Sequence, residues 1–300
     1  MQTGFLYAAL AFTTWGLFPL YLQLIRQVPA FEVVLHRSMW ALLFVLLLLA
    51  SQRRWHWLAR TLRQPRLLAL FAFSALLLSV NWLVYVYAVQ TGHVVQASLG
   101  YFINPLVSVL LGVVVLRERL RPVQSVAVVL AAGGVLWLTV QAGTLPWLAL
   151  ALAASFGVYG LVRKTASLGA LEGLTLENML LAPLVLPILA WWTWRHGGAL
   201  GAAGHGDLTT LGWLLLGGPL TALPLLWFAA AARRLPLAML GMAQYLSPSI
   251  QLLLAIWVFN EPFDRERLVG FGLIWSALLL ISADALGLLR PRLRAPAPQR

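Results

Sequence analysis

Titratable residues stand inside two long apolar runs, where most side chains are aliphatic. Glu32, His36 and Arg37 open one run, and Glu177 opens another. Arg37 lies about two helical turns, or roughly 10 Å, from the start of its run. Ionisable side chains at such depth normally face other protein segments and have partners there. We expect either structural charge pairs or a substrate or proton site, because a shielded carboxylate and a histidine can both titrate near neutral pH.

Amide and aromatic side chains share helical faces in other apolar runs. Asn81 and Tyr85 are four residues apart, with Trp82 beside Asn81, and Trp15 and Tyr159 offer comparable aromatic faces in two further runs. Residues at i and i+4 lie on the same face of a helix. Together these residues predict an apolar pocket with a few polar anchors. Packing within a helical bundle is the competing interpretation for each aromatic residue taken alone.

Two proline residues interrupt apolar runs in the two halves of the chain. Pro105 and Pro248 each remove a backbone hydrogen bond to the carbonyl four residues earlier, which belongs to Tyr101 or Gln244. A carbonyl freed inside a membrane is tolerated only beside protein or a water-filled cavity. The duplicated break indicates a cavity, and a packing kink is the alternative.

Several chemistries are excluded by the residues that the chain lacks. Cys is absent, so there is no disulfide, thiolate nucleophile, iron–sulfur cluster or thiolate zinc site. The one lysine, Lys164, follows Arg163 rather than Gly, which excludes a Walker A loop. The five histidines form no HExxH motif, and the nine acids are scattered, which also weighs against a membrane enzyme acting on lipids. We expect that the protein is not an enzyme and that it binds no metal and no cofactor.

The composition predicts an integral membrane protein. Of the 300 residues, 61% are hydrophobic and 10% are charged, with a mean hydropathy of +0.85, whereas soluble domains are about 25% charged. Ten apolar runs, each near the length of about 20 residues that crosses a bilayer, predict ten transmembrane helices. The runs lie at about 4–25, 30–51, 66–90, 94–116, 122–141, 144–162, 172–194, 208–231, 236–260 and 265–287.

The net charge of +12 is concentrated in the connections between these runs, which argues against a nucleic-acid partner. Sixteen of the 21 Lys and Arg fall in one set of alternate connections and the C-terminal tail, four fall in the other set, and Arg37 lies within a run. Basic residues accumulate on the cytoplasmic side. We therefore expect a multi-pass protein of the bacterial inner membrane with both termini in the cytoplasm. Its expected partners are the lipid bilayer and a small-molecule substrate, and the chain is either a monomer or a homodimer.

An internal repeat is visible when the chain is aligned with itself so that Pro105 meets Pro248. Four small or polar residues then recur at i, i+4 spacing in both runs, Gly100, Asn104, Ser108 and Gly112 in one and Ala243, Ser247, Gln251 and Ala255 in the other. Such ridges let helix backbones approach closely. Because each half has five crossings, the second half is inverted relative to the first. The predicted fold is all-α, with inverted five-helix repeats at 1–142 and 143–290 and a basic cytoplasmic tail at 291–300.

Glu118 and Glu261 follow the two proline-containing runs at equivalent positions. The C-terminal end of a helix is the negative end of its dipole, which disfavours an acid there. We expect each of these acids to cap the helix that follows it or to pair with arginine, rather than to act in transport.

Six short segments carry a resemblance to a known family. They are His36-Arg37 with Trp40, Asn81-Trp82, ASLGYFINPL at 97–106, LRER at 116–119, GLVRK at 160–164, and Leu176-Glu177. With these segments the chain resembles the RarD branch of the EamA transporters, in the drug/metabolite transporter superfamily, over almost its full length. The resemblance implies ten helices in two inverted EamA repeats, around a central cavity built largely by the first, third, fourth, sixth, eighth and ninth helices.

The resemblance also implies a small-molecule permease, often an exporter, for amphipathic metabolites such as amino acids or drug-like compounds. Carried over by motif, the residues that would line or border the cavity are Trp15, Asn81, Trp82, Tyr85, Tyr101, Asn104, Tyr159 and Tyr245, to which we add Gln244. Glu32, His36, Arg37 and Glu177 are the candidates for proton or charge coupling, and facilitated diffusion is equally compatible with the sequence. The alternative function is that of a non-transporting membrane sensor or partner subunit.

Overall fold

The computed structural model describes residues 2–53, 55–91, 94–141, 147–198, 207–258 and 265–285. Within these ranges the chain is built of helices and turns, with no strand. The helices are α1 Gln2–Leu24, α2 Ala30–Ser51, α3 His56–Leu62, α4 Pro65–Gln90, α5 Val94–Val114, α6 Pro122–Gln141, α7 Trp147–Thr165, α8 Ala170–His196, α9 Leu208–Ala232, α10 Leu237–Ala243, α11 Leu246–Trp257 and α12 Arg265–Ala285. The tail predicted at 291–300 and Glu261 lie outside the described residues.

Most of these helices are long and apolar enough to cross a membrane. Eight segments meet that requirement, with α10 and α11 taken together as Leu237–Trp257. Two further apolar stretches, Leu99–Val114 in α5 and Leu268–Asp284 in α12, are shorter. Each predicted apolar run overlaps one of these segments. The prediction of an all-helical, multi-pass membrane protein is confirmed.

The connection between α2 and α4 contains a short helix, α3, that the hydropathy pattern did not predict. Its two buried residues are Trp57 and Thr61, and Trp57 packs in a cluster with Leu49 and Phe71, whereas Arg60 on the same helix is exposed. This amphipathic helix packs against α2 and α4 through Trp57. It escaped prediction because seven residues are too few to show a membrane-length apolar run.

The two proline-containing segments differ in the structure, although the sequence predicted matching breaks. α5 continues through Pro105 without interruption. Its counterpart is divided into α10 and α11 by a turn at Gln244 and Tyr245. The Gln244 carbonyl accepts a hydrogen bond from the Ser247 amide at 3.1 Å, so it is not left free as predicted. The break therefore lies one turn before Pro248, and its carbonyl is satisfied by a tighter turn.

The helices of the two halves pack against one another rather than as separate bundles. α1 packs against α9 and α11, α2 against α8 and α9, α4 against α7 and α8, α5 against α7 and α10, and α6 against α12. Small residues permit the closest approaches. A Cβ on Gly241 would lie 2.7 Å from the Pro105 carbonyl oxygen, and one on Gly134 would lie 2.6 Å from that of Gly270. The α5–α10 and α6–α12 contacts therefore depend on the absence of side chains there.

Candidate functional site

A cavity of about 630 Å³ lies between the two halves. Its wall is formed by α1, α2, α4, α5, α7, α9, α11, the turn between α10 and α11, and the α1–α2 connection at 25–29. The resemblance implied six of these contributions and did not include α2. Cavities of about 300–1,000 Å³ suit small organic ligands.

One end of the cavity reaches the α1–α2 connection, where Arg26 and Gln27 are exposed. At the other end, aromatic side chains from three helices meet. Ring centroids lie 5.7 Å apart for Trp15 and Phe156, 5.1 Å for Phe156 and Phe228, and 5.9 Å for Trp15 and Phe228. Aromatic pairs at these distances pack favourably. They form an apolar floor at this end of the cavity.

Seven of the nine residues that the sequence placed at a cavity lie on this wall. They are Trp15, Asn81, Trp82, Tyr85, Tyr101, Asn104 and Gln244. The rings of Tyr85 and Tyr101 meet edge to face at 6.2 Å between centroids. The i, i+4 face of α4 and the polar ridge of α5 thus point to the same space.

Tyr159 and Tyr245 lie elsewhere. Tyr159 is 0% exposed, stacks on Phe228 with 6.0 Å between ring centroids, and its hydroxyl is 3.5 Å from Glu177. Tyr245 is also 0% exposed and packs in an apolar cluster that includes Phe102. Both belong to the packed core. The sequence identified the segments that carry these two residues and could not fix the direction in which each side chain points.

The amide groups on the wall are largely used to join helices. Asn81 donates through Nδ2 to the Leu152 carbonyl at 2.9 Å and to Ser155 Oγ at 3.0 Å. These two bonds hold α4 against α7. Because its N–H groups are engaged, Asn81 has only its carbonyl oxygen left for a ligand.

A second amide chain joins α5 to the turn between α10 and α11. Asn104 Nδ2 donates to Gln244 Oε1 at 2.7 Å, and Gln244 Nε2 donates to Ser108 Oγ at 3.0 Å. Gln251 Nε2 donates to the Trp15 carbonyl at 3.1 Å and so joins α11 to α1. Interhelical hydrogen bonds of this kind orient helices inside a membrane. The small or polar ridges seen in the sequence are thus contact lines between the halves.

Arg37 lies on the cavity wall, a placement that the sequence left open. Its Nε donates to Thr221 Oγ1 at 2.9 Å, and that hydroxyl donates to the Gly217 carbonyl at 2.7 Å. The guanidinium carbon is 4.4 Å from the ring centroid of Phe18 and 5.8 Å from that of Trp82. The sequence did not identify Thr221 as a partner, because a threonine within an apolar run is a common residue with no distinctive spacing.

The other predicted coupling residues form two buried groups away from the wall. His36 Nε2 is 3.7 Å from Glu32 Oε1, and Trp192 Nε1 donates to Glu32 Oε2 at 3.3 Å. Glu32 and His36 thus face α8, while Arg37 faces the cavity. No group of three or more His, Asp or Glu in the described ranges is arranged to hold a metal ion.

The second buried group surrounds Glu177. Ser74 Oγ donates to its Oε1 at 2.6 Å, and Arg163 Nη1 lies 3.4 Å from the same oxygen. Arg163 also donates to the Ala170 carbonyl at 3.0 Å and lies over the ring of Phe71 at 5.6 Å. This network connects α4, α7 and α8 beyond the floor of the cavity.

Glu118 has a partner that the sequence did not predict. Its carboxylate accepts hydrogen bonds from the backbone amides of Leu237 at 2.7 Å and Ala238 at 2.9 Å, and Lys164 Nζ lies 3.7 Å from it. It therefore caps α10, at the positive end of that helix dipole, and not the helix that follows it in the chain. The expectation of capping the next helix or pairing with arginine was wrong, because the acid comes from one half of the chain and the capped helix from the other.

Comparison with known proteins shows the family to which this chain belongs. Residues 2–140 match the EamA-like transporter family. The protein RarD of Streptomyces exfoliatus is 45% identical, with 99% of this chain and 94% of that protein covered. The protein RarD of Escherichia coli (strain K12) is 39% identical, with 95% of each chain covered. A chloramphenicol-sensitive protein RarD of Pseudomonas aeruginosa is 33% identical over 92% of each chain.

A solved crystal structure also has this fold. It aligns with a TM-score of 0.70 over 94% of this chain and 98% of that chain, at 17% sequence identity. At this identity the likeness concerns the fold alone. The near-complete coverage of relatives named RarD, together with the EamA match, identifies the family. The chain belongs to the RarD group of EamA-like membrane transporters, in the drug/metabolite transporter superfamily.

Proposed function

We propose that the protein is a secondary transporter that exports small amphipathic metabolites, such as amino acids or drug-like compounds, by alternating access. The observation that carries this proposal is the cavity itself, which is lined by helices of both halves and has an aromatic floor at one end. A site between two halves can be exposed to one side of the membrane at a time when the halves move relative to each other. A partner subunit does not require such a space, and a sensor requires binding there but no passage across the membrane.

The helix packing supports ten crossings in two inverted repeats, at 1–142 and 143–290. In this scheme α1, α2, α4, α5 and α6 correspond to α7, α8, α9, α10–α11 and α12. Exchanging each helix for its counterpart turns the α5–α7 contact into α1–α11, the α4–α7 contact into α1–α9, and the α2–α9 contact into α4–α8, and all of these are present. The α2–α8, α5–α10 and α6–α12 contacts map onto themselves. This is the pattern expected of a two-fold axis in the membrane plane.

The charge distribution supports an orientation in the bacterial inner membrane with both termini in the cytoplasm. Basic residues concentrate on the side where α2 ends and α4 begins. In this orientation the α1–α2 connection lies on the outer side, so the cavity is open outward. The Glu118 cap on α10 and the aromatic floor then close the cytoplasmic side.

A ligand screen followed by counterflow tests the proposal. Purified protein is screened by thermal shift against amino acids, amines, nucleosides and, because one relative is named chloramphenicol-sensitive, chloramphenicol-like compounds. Binders are then assayed for counterflow in proteoliposomes. Tyr101→Ala should weaken binding, because Tyr101 is on the wall. Tyr87→Ala should not, because Tyr87 is 50% exposed and is not on the cavity wall.

The outcomes separate the two functions. Counterflow of a compound whose binding depends on Tyr101 supports transport through this cavity. Binding without counterflow, or no response to any compound in both assays, contradicts the proposal and favours the sensor or partner-subunit function.

A further inference from the structure

The cavity wall carries positive charge that its own side chains do not balance. Arg37 and Arg26 both line it, and no Asp or Glu is among the wall residues in the described part of the chain. Arg37 lies about 10 Å into α2 from its start at Ala30. A cation at that depth is costly and is normally paired. Within the described ranges, the nearest acid on its helix, Glu32, is directed to His36 and Trp192 instead.

The partners that Arg37 does have are all neutral. Thr221 accepts from Nε, and the rings of Phe18 and Trp82 lie against the guanidinium. In the part of the chain that the structure describes, no hydrogen bond uses either terminal nitrogen. The guanidinium is thus held by a hydrogen bond at Nε and by aromatic rings against it, and its two terminal nitrogens remain available to a ligand. That end has the geometry that binds a carboxylate through two parallel hydrogen bonds.

Neutral donors lie near the same point. Tyr85 and Tyr101 are on the wall and within electrostatic reach of the guanidinium. Among the described residues, neither hydroxyl has a hydrogen-bond partner, in contrast to the Asn81 amide, whose N–H groups are occupied by Leu152 and Ser155. A phenol can donate to an anion. Arg37 and the two tyrosines therefore present donors on this wall that are free to recognise an anion.

We propose that Arg37 binds the anionic group of the transported compound, and that this compound is an organic acid with an aromatic or aliphatic body. This inference rests on the proposed function and specifies its substrate class. The wall residues Trp15, Phe156 and Trp82 would take the apolar body. A cationic amine finds no counter-charge on the described wall, and a zwitterion finds one for its carboxylate only. Arg26, exposed at the mouth, adds attraction for anions as they enter.

A charge series on one skeleton tests this assignment. The probes are phenylpropionate, its neutral amide phenylpropanamide, the cation phenylpropylamine and the zwitterion phenylalanine, with isocaproate as an aliphatic acid. Thermal shift gives apparent affinities for the purified protein. We expect both acids to stabilise the protein, phenylalanine to do so less, and the amide and amine to have no effect.

Variants locate the recognised charge. Arg37→Gln should weaken phenylpropionate binding by about 30-fold or more, because a buried charge-assisted contact is lost. Arg37→Lys keeps a cation without the fork and should show an intermediate loss. It provides a readout if Arg37→Gln folds poorly. Arg60→Gln is the matched control, because it removes an exposed arginine on α3, away from the cavity.

Three results would overturn the assignment. They are equal stabilisation by the amide or amine, acid binding that persists in Arg37→Gln, and no stabilisation by either acid. Counterflow in proteoliposomes separates this failure from that of the proposed function. Transport of a non-acidic compound without acid binding keeps the transporter and rejects the anion site. Acid binding through Arg37 without counterflow of any compound keeps the anion site and rejects transport.

Discussion

Arg37 of α2 donates to Thr221 of α9 at 2.9 Å, and this bond joins the first half of the chain to the second at the cavity wall. The bond holds Nε of Arg37, a residue whose side chain lines the cavity. Any movement of α2 relative to α9 must therefore change the position of the guanidinium.

Thr221→Val tests this link, because valine keeps the shape and removes the acceptor. We expect the free energy of unfolding to fall by about 1 kcal/mol and carboxylate binding to weaken, though less than in Arg37→Gln. Thermal unfolding with and without phenylpropionate measures both effects. Thr139→Val is the control, since among the described residues that hydroxyl bonds only to the Val135 carbonyl of its own helix. Equal effects in the two variants would mean that the Arg37 contact has no special role.

Gln244 joins the halves at the turn between α10 and α11. Gln244→Leu leaves the Asn104 and Ser108 side chains without their partners, and we expect a loss of about 1–3 kcal/mol in unfolding free energy. Gln251→Leu removes a single bond, to the Trp15 carbonyl, and should cost less. Unfolding in mixed micelles measures the difference. The reverse ranking would show that the amide chain is not the main connection.

Glu118 holds the N-terminus of α10 in a charge-assisted cap. Glu118→Ala should release this end, so a cysteine placed at Leu237, which is 0% exposed, should react faster with a water-soluble maleimide. Because the chain has no native cysteine, the reaction reports that position alone. Glu172→Ala, which alters an acid in the first turn of α8, is the comparison. Unchanged reactivity in Glu118→Ala would show that Glu118 does not help to close the protein at the N-terminus of α10.

Proton coupling through the buried groups is tested with His36→Gln and Glu177→Gln. If either residue couples protons, its neutral replacement should abolish the pH dependence of uptake and leave counterflow intact, because exchange needs no net proton movement. Glu177→Gln also leaves Arg163 without its acid, so its melting temperature must be measured beside its transport. Unchanged pH dependence in both variants rejects coupling through these residues.

The sequence predicted the helices well because apolar length is a local property. The run at 30–51 and the helix Ala30–Ser51 coincide, and the other runs differ from their helices mainly at the ends. The seven-residue α3 was missed because it is too short to show an apolar run of membrane length. The break was expected at Pro248 and lies one turn earlier, at Gln244 and Tyr245. The Glu118 cap was missed because its partners are more than a hundred residues away along the chain.

The wall of the cavity was predictable only in part. Spacing showed that Asn81 and Tyr85 share a face, and both line the cavity. The same reasoning placed Tyr159 at the cavity, but the rotation of α7 directs Tyr159 to Glu177 instead. For Arg37, the sequence showed only that an arginine lies unusually far inside an apolar run. Its neighbours on α1, α4 and α9 place it on the cavity wall.

The close contact of Gly134 with Gly270 has a mechanical consequence. It joins α6 of one half to α12 of the other, and neither helix contributes to the described cavity wall. In the proposed alternating-access movement, the two halves would pivot about the place where displacement is smallest, and two backbones in direct contact suit that role. Spin labels on the exposed faces of α6 and α12, at Val129 and Leu279, should therefore keep a constant distance when ligand is added. A pair between the α1–α2 connection and the start of α9, at Gln27 and Leu208, should change its distance under the same conditions.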